Sequence, residues 1–303
     1  MSRHFYTAFG LCFAFPFRSP VLQDACGQSV DVWVRLAPLE PLLAARALQA
    51  HRLQDGVQVQ VGRDGTTLWR TGYGRFLAAN GCEIVIDAEA GSDPGTLHRF
   101  LLYSCMPAIM AQRGCLVLHA NAARTASGAV VVAGESGAGK STWLATAVRS
   151  GARLIADDVS VIRSDDNGEL VVLPAYPQYR LCADAAERMH LRAPGPSAVP
   201  PGVFAAKRLI HLECRDALSP AARVGRLFFL SVHDGEEIAV EEIRGLEKLA
   251  WLEGACLPPG TAGGALAFTG PLLRAAALPM FRVCRPRQRW TAAELTSLLL
   301  AET

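Results

Sequence analysis

The chain has 303 residues, half of them hydrophobic, and a formal net charge of only +2. This length allows one large domain or two smaller ones, either with a substantial buried core. The near-neutral charge is typical of a soluble globular protein and argues against a nucleic-acid partner, which would favour a strongly basic surface.

The nine cysteines are an odd number, widely scattered, with no CxxC pair and no cysteine-histidine ligand spacing. This pattern predicts reduced, mostly buried thiols in a cytoplasmic protein, and argues against a disulfide framework or a zinc site.

Two apolar stretches raise the question of a membrane. Residues 1–17 superficially resemble a secretory signal, but Pro16, Arg18 and the lack of a small-residue cleavage site favour a first β-strand. Residues 97–111 are too short to span a bilayer and predict a buried helix, kinked near Pro107. We therefore expect no membrane partner.

The N-terminal part predicts strands, because residues 30–36, 57–61 and 82–87 alternate between apolar and polar side chains. Residues 42–53 are rich in Leu and Ala and predict a helix. We predict a mainly β N-terminal domain over residues 1–90, without catalytic motifs, whose role in substrate contact or homo-oligomer formation stays open. A turn-rich hinge then leads to a helix over 95–113 and an α/β catalytic domain over 91–303.

Residues 134–141 form the sequence GESGAGKS, which matches the P-loop pattern GxxxxGK[ST]. An apolar run precedes the motif and a helix-compatible segment follows it, whereas an ordinary glycine-rich turn would need neither. Successive backbone N–H groups and the helix N-terminus favour a polyphosphate, Lys140 reaches its outer phosphates, and Ser141 offers a hydroxyl to magnesium. The predicted ATP-binding residues are Gly134, Glu135, Ser136, Gly137, Ala138, Gly139, Lys140, Ser141 and Thr142.

A predicted short buried strand ends in two adjacent acids, Asp157 and Asp158. Neighbouring carboxylates repel unless a cation offsets them, and Mg²⁺ on the nucleotide would do so. One Asp then holds the metal, directly or through water, and the other accepts a proton from an attacking hydroxyl. The alternative is a solvated turn or helix cap. His119 lies near the end of a strand predicted over 115–123. It either orients an Asp or tunes its pKa, or is an ordinary partly buried histidine.

Three further cations are candidates for the site. Arg180 contacts phosphate or a substrate carboxylate, or else packs its stem on the surface beside a tyrosine. Residues 189–203 hold four prolines and predict a lid or peptide-docking loop. Lys207 and Arg208 follow this loop and would neutralise the transferring phosphoryl group, or are simply charges at a strand end.

The C-terminal part predicts strands at 226–232, 236–243 and 281–286, and helices at 246–256, 271–277 and 292–301. Four arginines cluster near the last strand and would suit an acidic peptide, although a solvated basic edge is the more usual explanation. They are Arg282, Arg285, Arg287 and Arg289.

The segments LHANAA, GESGAGKS and GARLIADD, in this order, resemble the C-terminal catalytic domain of the HPr kinase/phosphorylase family of bacterial P-loop serine kinases. Only sixteen residues separate Lys140 from Asp157, which is short for a P-loop protein. The AFGL and YRL segments, at residues 8–11 and 179–181, look like stand-alone relatives that include lasso-peptide tailoring kinases. The resemblance is specific over roughly residues 114–181.

The resemblance implies an HPr-kinase-like P-loop fold that uses ATP and Mg²⁺. It implies that Asp157 is the proton acceptor, assisted by His119, and that Asp158 and Ser141 lie near the metal. It further implies, as the most specific expectation, phosphorylation of the C-terminal serine of a lasso-peptide precursor. Which of the two acids is the base stays open, because both lie within reach of the same phosphate.

The chain departs from the family in one motif. The segment EEIRGLEKL, residues 241–249, is similar in letters to the family's EVRGLG-like signature but lies far downstream, so we assign it no role. We therefore expect kinase activity only. A small-metabolite kinase and a nucleotide-dependent module that binds a leader peptide without transferring phosphate remain the alternatives.

Overall fold

The computed structural model describes residues 3–25, 29–43, 48–52, 57–62, 64–191, 207–211, 218–257 and 264–301. The chain divides into two compact units, with the main division between Val117 and Leu118. Unit 1 also includes Leu257 and the described residues 264–270, and unit 2 holds the other described residues. Each unit contains a mixed sheet and few helices. The domain boundary predicted near residue 90 stays a prediction.

Unit 1 is built on a nine-stranded sheet in the order β3-β1-β2-β4-β9-β8-β7-β6-β5. Strand β4 runs parallel to β2 and β9, and the other neighbours are antiparallel. The elements are β1 (His4–Ala8), β2 (Leu11–Phe15), β3 (Gln23–Asp24), β4 (Val32–Leu36), α1 (Glu40–Leu43), β5 (Leu48–Arg52), β6 (Gln58–Gly62), β7 (Thr67–Thr71), β8 (Gly74–Ala79), β9 (Glu83–Ala88), α2 (Pro94–Phe100), a π-helical turn (Leu101–Cys105) and α3 (Met106–Gln112).

The three strands predicted from alternation are confirmed as β4, β6 and β9. Their inward-facing side chains are buried, as a half-buried strand requires. The helix predicted over residues 42–53 is wrong, because α1 ends at Leu43 and β5 pairs antiparallel with β6. The ladder hydrogen bonds of that pairing override the helical propensity of a short Leu- and Ala-rich segment.

Residues 94–112 are helical, as predicted, but the helix changes character before Pro107. The pyrrolidine ring of a helical proline conflicts with the carbonyl four residues earlier, which here belongs to Tyr103. Tyr103 lies in the π-helical turn, whose wider winding accommodates such a conflict.

Unit 2 contains the glycine-rich motif. Its elements are β11 (Ala120–Thr125), β12 (Gly128–Gly134), α4 (Lys140–Arg149), β13 (Arg153–Ala156), β14 (Ser160–Ser164), β15 (Leu170–Leu173), β16 (Gln178–Cys182), α5 (Ala183–Arg188), β17 (Lys207–His211), β18 (Ala222–His233), β19 (Ala239–Glu242), α6 (Glu247–Ala255), β20 (Met280–Pro286) and α8 (Ala292–Leu300). Strand β10 (Leu116–Leu118) and helix α7 (Gly264–Ala276) run across the division between the units.

The sheet of unit 2 has the order β14-β15-β18-β12-β11-β13, with β20 beside β18 and β19 beside β20. Strands β12, β18 and β20 are parallel, whereas β11 is antiparallel to both β12 and β13. The ends of β12, β13, β18 and β20 therefore meet at one edge with the start of β11. Helices α4 and α8 cover this sheet through buried side chains that include Trp143, Leu144, Phe228, Leu295 and Leu299.

The single strand predicted over residues 115–123 is wrong, because the chain forms β10 and β11 with a break at His119. At the break, the His119 N–H donates to the Ala255 carbonyl at 2.7 Å, and Leu118 pairs with Cys256. Strand β17 pairs with β16 in a separate two-stranded ribbon.

The seven cysteines that the structure describes are all free thiols. Cys12, Cys105 and Cys115 are buried, whereas Cys82 and Cys182 are exposed, so fewer of them are buried than we expected. Within the described residues, no helix is both long enough and apolar enough to cross a membrane.

His98 makes the stability of unit 1 dependent on pH. Its ring packs edge-on against Phe15 and Phe17, its Nε2 lies 2.9 Å from the Ser19 hydroxyl, and burial lowers its pKa from 6.5 to about 4. Between these values the unfolded chain binds a proton that the folded chain does not bind. We therefore expect the free energy of unfolding to fall by up to about 3 kcal/mol as the pH drops through this window.

This slope can be measured by urea denaturation between pH 7 and pH 4. The His98→Gln variant lacks the titrating ring and should show a shallower slope than the parent protein. The control, His4→Gln, replaces a half-buried histidine of the same unit and should retain the full slope. Equal slopes in the parent and His98→Gln would contradict the prediction.

Candidate active site

Residues 134–141, named here the glycine loop, connect β12 to α4 as the motif predicts. Gly134, Gly137 and Gly139 have φ values of 138°, 83° and 107°, which side chains rarely adopt. A Cβ on Gly134 would lie 2.1 Å from the carbonyl oxygen of Leu230 in β18. The loop therefore begins where two parallel strands come too close for any side chain.

Lys140 begins α4 and folds back over the glycine loop. Its side chain is buried, with 7% of the residue exposed, and Nζ donates to the carbonyls of Gly134 at 2.6 Å and Glu135 at 3.1 Å. Ser141 and Thr142 follow in the first turn of the helix, where backbone N–H groups and the helix dipole favour an anion. Glu135, Ser136 and Gly137 are exposed, and Ala138 is buried.

The two acids follow β13, but their surroundings differ. Asp157 is 3% exposed and its Oδ2 accepts the backbone N–H of Arg180 at 2.7 Å. The Asp158 carboxylate forms an ion pair with the guanidinium of Arg180, which is itself buried. Arg180 therefore touches both acids, one through its backbone and one through its side chain.

Two side chains at the start of β11 form hydrogen bonds with the backbone of Asp158. His119 Nδ1 lies 3.1 Å from the Asp158 carbonyl, and Asn121 Oδ1 accepts the Asp158 N–H at 2.8 Å. A carbonyl only accepts, so Nδ1 carries the proton in this contact. Asp158 itself has φ 69°, an unusual value for a residue with a side chain. The two hydrogen bonds hold this conformation in place.

His119 was predicted to orient an Asp, and the structure places it against the backbone of Asp158. Asn121, which sequence reasoning did not single out, is fully buried and lies two residues further along the same segment. Its position in LHANAA, two residues after a candidate histidine, was the available signal. A buried amide needs hydrogen-bond partners, which its own sequence does not identify.

A cleft of about 590 Å³ opens beside the first residues of the glycine loop. Gly134, Glu135 and His119 form one part of its wall. Its other walls come from β18, with Phe229 and Leu230, and from α6, with Trp251. Neither sequence motifs nor composition indicated this cleft, because β18 and α6 lie about 95 to 120 residues after the loop.

Arg285 is a further residue whose role the sequence did not indicate. On β20, its guanidinium donates from Nε to the Ala138 carbonyl at 2.7 Å and from Nη2 to the Gly137 carbonyl at 3.1 Å. Burial, and secondly the charge of Arg287, lower the pKa of Arg285 below its ordinary value. Arg285 therefore connects the middle of the glycine loop to β20 through these two hydrogen bonds, which together are named here the latch.

The other arginines of the cluster make surface ion pairs: Arg282 with Glu241, Arg287 with Asp234 and Arg289 with Glu294. This arrangement matches the solvated basic edge that we considered.

Lys207 and Arg208 lie on β17, opposite Cys182 and Leu181 of β16, and their side chains lie outside the described part of the chain. The predicted lid over 189–203 falls outside the described residues from residue 192 onward. A phosphoryl-neutralising role for the two cations stays a prediction.

The residues predicted to hold magnesium have suitable donor atoms. Ser141 supplies a hydroxyl and Asp158 a carboxylate, which are the hard oxygen ligands that Mg²⁺ prefers. The Arg180 guanidinium already pairs with Asp158 Oδ2, so direct ligation would use the other carboxylate oxygen or displace the arginine. Contact through water avoids this competition.

No family model matches the chain, and none of the curated proteins matches it. Among solved structures, the chain is similar to an Hpr(Ser) kinase/phosphatase from Coxiella burnetii. The match covers 60% of this chain and 87% of that one, with 13% sequence identity and a TM-score of 0.32. Values this low establish neither a family nor a shared activity for this chain.

Gly134 and Gly137 make a matched pair for testing the glycine loop. In Gly134→Ala the new methyl group meets the Leu230 backbone, so we expect a loss of about 3 kcal/mol or more in the free energy of unfolding. In Gly137→Ala the new methyl group meets no atom within 4 Å. We expect this variant to lose only about 1–2 kcal/mol in the free energy of unfolding, from the strain of a side chain at a positive φ. Chemical denaturation measures both, and equal losses would contradict the close approach.

Because Arg285 supports the glycine loop, we expect its substitution to weaken nucleotide binding. Arg285→Gln removes two hydrogen bonds to loop carbonyls, so we expect roughly tenfold weaker binding of a non-hydrolysable ATP analogue in calorimetry. The control is Arg287→Gln, which breaks an exposed ion pair and should bind the analogue as the parent does. Unchanged affinity in Arg285→Gln would show that the loop keeps its shape without the latch.

Proposed function

We propose that this protein is an ATP- and Mg²⁺-dependent phosphotransferase that moves the γ-phosphoryl group to a hydroxyl. One observation carries the proposal: β12 and β13 place the glycine loop and the acid pair at the same edge of one sheet. Strand β11 lies between them, and the chain at its start supplies His119. A phosphate-binding loop beside a carboxylate is the arrangement that phosphoryl transfer to an alcohol needs.

In this proposal the glycine loop binds the phosphates. Its backbone N–H groups and the N-terminus of α4 supply positive potential that is already oriented. Lys140 exchanges its two loop carbonyls for phosphate oxygens, which gives its buried ammonium group a stronger acceptor. When bound, Mg²⁺ offsets the charge of the phosphates, held by Ser141 and Asp158.

Asp157 accepts the hydroxyl proton. The Asp158 carboxylate is matched by the Arg180 guanidinium, so it is suited to a charge-balancing role and less suited to proton abstraction. His119 and Asn121 act as positioning residues, because they fix the backbone of Asp158 in the acid turn, which is the name used here for Asp157 and Asp158. The backbone N–H of Arg180 orients the Asp157 carboxylate. General-base catalysis of this kind contributes about 10²–10⁴-fold to a rate.

The sequence resemblance suggests a serine of a peptide or small protein as acceptor, and most specifically the C-terminal serine of a lasso-peptide precursor. A metabolite kinase would use the same machinery with a small alcohol. A regulatory module that only binds a leader peptide would need the glycine loop but not Asp157.

We expect substitutions of the two acids to cause different defects. In Asp157→Asn, the amide oxygen still accepts the Arg180 N–H, so we expect normal folding and nucleotide binding with phosphoryl transfer reduced about 10²–10⁴-fold. In Asp158→Asn, the buried Arg180 loses its carboxylate, so we expect the larger fall in stability, about 3–5 kcal/mol. Intact-mass analysis of candidate peptides measures transfer, and chemical denaturation measures stability.

Full transfer by Asp157→Asn would contradict its role as the base. Nucleotide binding without any phosphorylated product, from peptides or from small alcohols, would favour the regulatory module. Failure of the parent protein to bind an ATP analogue would overturn the proposed function altogether.

A further inference from the structure

We propose that the cleft beside the glycine loop binds the acceptor through an apolar, preferably aromatic, group next to the reacting hydroxyl. This inference rests on the proposed function and specifies its substrate: a serine flanked by an aromatic or large aliphatic residue. It concerns residues of β18 and α6 that take no part in binding the phosphates.

The position of the cleft assigns it to the acceptor. It adjoins Gly134 and Glu135, the first residues of the glycine loop, whereas α4 and its anion-binding N-terminus begin at Lys140. His119 lines the cleft and also holds the backbone of Asp158. A group in the cleft therefore lies next to the residue that positions the acid turn, where the hydroxyl must give up its proton.

The chemistry of the walls sets the class of ligand. Trp251 packs on Phe229 with ring centroids 5.4 Å apart at 52°, and Leu230, Ala250 and Ala255 add further apolar surface. Aromatic walls favour apolar and aromatic groups. A volume of about 590 Å³ is typical of sites that bind small molecules or a few side chains.

Polar groups lie among these apolar walls without dominating them. Arg282, a cation of the cleft, has a side chain that is half exposed and pairs with Glu241. Glu135 brings a negative charge at the loop itself. With one charge of each sign, the cleft favours a neutral segment over a phosphorylated sugar or a strongly acidic peptide.

Gly254 is a position at which a substitution can change the size of the cleft. It lies on α6 and lines the cleft, and a Cβ there would meet no atom within 4 Å. Its φ is not left-handed, so a larger residue suits the helix backbone. Gly254→Leu therefore narrows the cleft while preserving the fold, since a helix former replaces glycine.

The test uses two neutral peptides, Ac-Phe-Ser-Phe-NH₂ and Ac-Gly-Ser-Gly-NH₂, with the full chain loaded with a non-hydrolysable ATP analogue and Mg²⁺. Calorimetry measures their affinities. We expect the phenylalanine peptide to bind at least tenfold more tightly than the glycine peptide. In Trp251→Ala and Gly254→Leu we expect this preference to fall at least tenfold, with unchanged affinity for the ATP analogue.

Each variant has a matched control. Trp290→Ala removes a partly exposed tryptophan that packs against Arg188, away from the cleft. Glu253→Leu introduces leucine at an exposed neighbouring position of α6 that is not part of the cleft wall. Both controls should retain the preference of the parent protein.

The inference is overturned if the two peptides bind equally, if neither binds, or if the preference survives in both cleft variants. It is also overturned if the cleft variants bind the ATP analogue more weakly than the parent protein, since the cleft would then hold the nucleotide. Incubation with ATP and intact-mass analysis test the proposed function separately. A peptide preference without phosphate transfer would contradict the kinase, and the cleft would then bind an apolar peptide segment that is not phosphorylated.

Discussion

The parallel pairing of β12 with β18 is the constraint on which the rest of unit 2 depends. Gly134 lies opposite Leu230, and the backbones approach so closely that no Cβ fits between them. This contact sets where β12 ends and where the glycine loop turns away from the sheet. Because β20 is parallel to β18, the same edge also brings Arg285 under the middle of the loop. The shape of the loop is thus set by strands far from it in sequence.

Asp157 and Asp158, the acid turn, are positioned by a second set of contacts, of which two are made to the backbone and the others to the carboxylates. Asn121 and His119 hold the N–H and the carbonyl of Asp158, and the Arg180 N–H holds the carboxylate of Asp157. Such contacts fix the direction of the carboxylates while the unfavourable φ of Asp158 is maintained. In the proposed phosphotransferase, a turn held in this way is preorganised before any ligand binds, which is how electrostatic catalysis lowers a barrier.

The break between β10 and β11 links these two features. A single continuous strand would have carried residue 119 in a regular ladder, with its side chain on one face of the sheet. At the break, its N–H instead pairs with the carbonyl at the end of α6. His119 can then contribute to the acid turn and to the cleft wall at once. The same hydrogen bond holds the end of helix α6, which carries Trp251, at the start of β11.

Features that depend on local pattern could be predicted from the order of the amino acids alone. Alternation predicted β4, β6 and β9, and the spacing of glycines with Lys140 predicted the strand, loop and helix of the glycine loop, because both are properties of consecutive residues. Local pattern did not predict that residues 48–52 form an edge strand, that the segment around His119 is broken, or that Arg285 and Asn121 support the candidate site. Those outcomes depend on hydrogen bonds and packing between different segments, which for Arg285 and Ala138 lie 147 residues apart, and the energy of such contacts is not a property of any single stretch of chain.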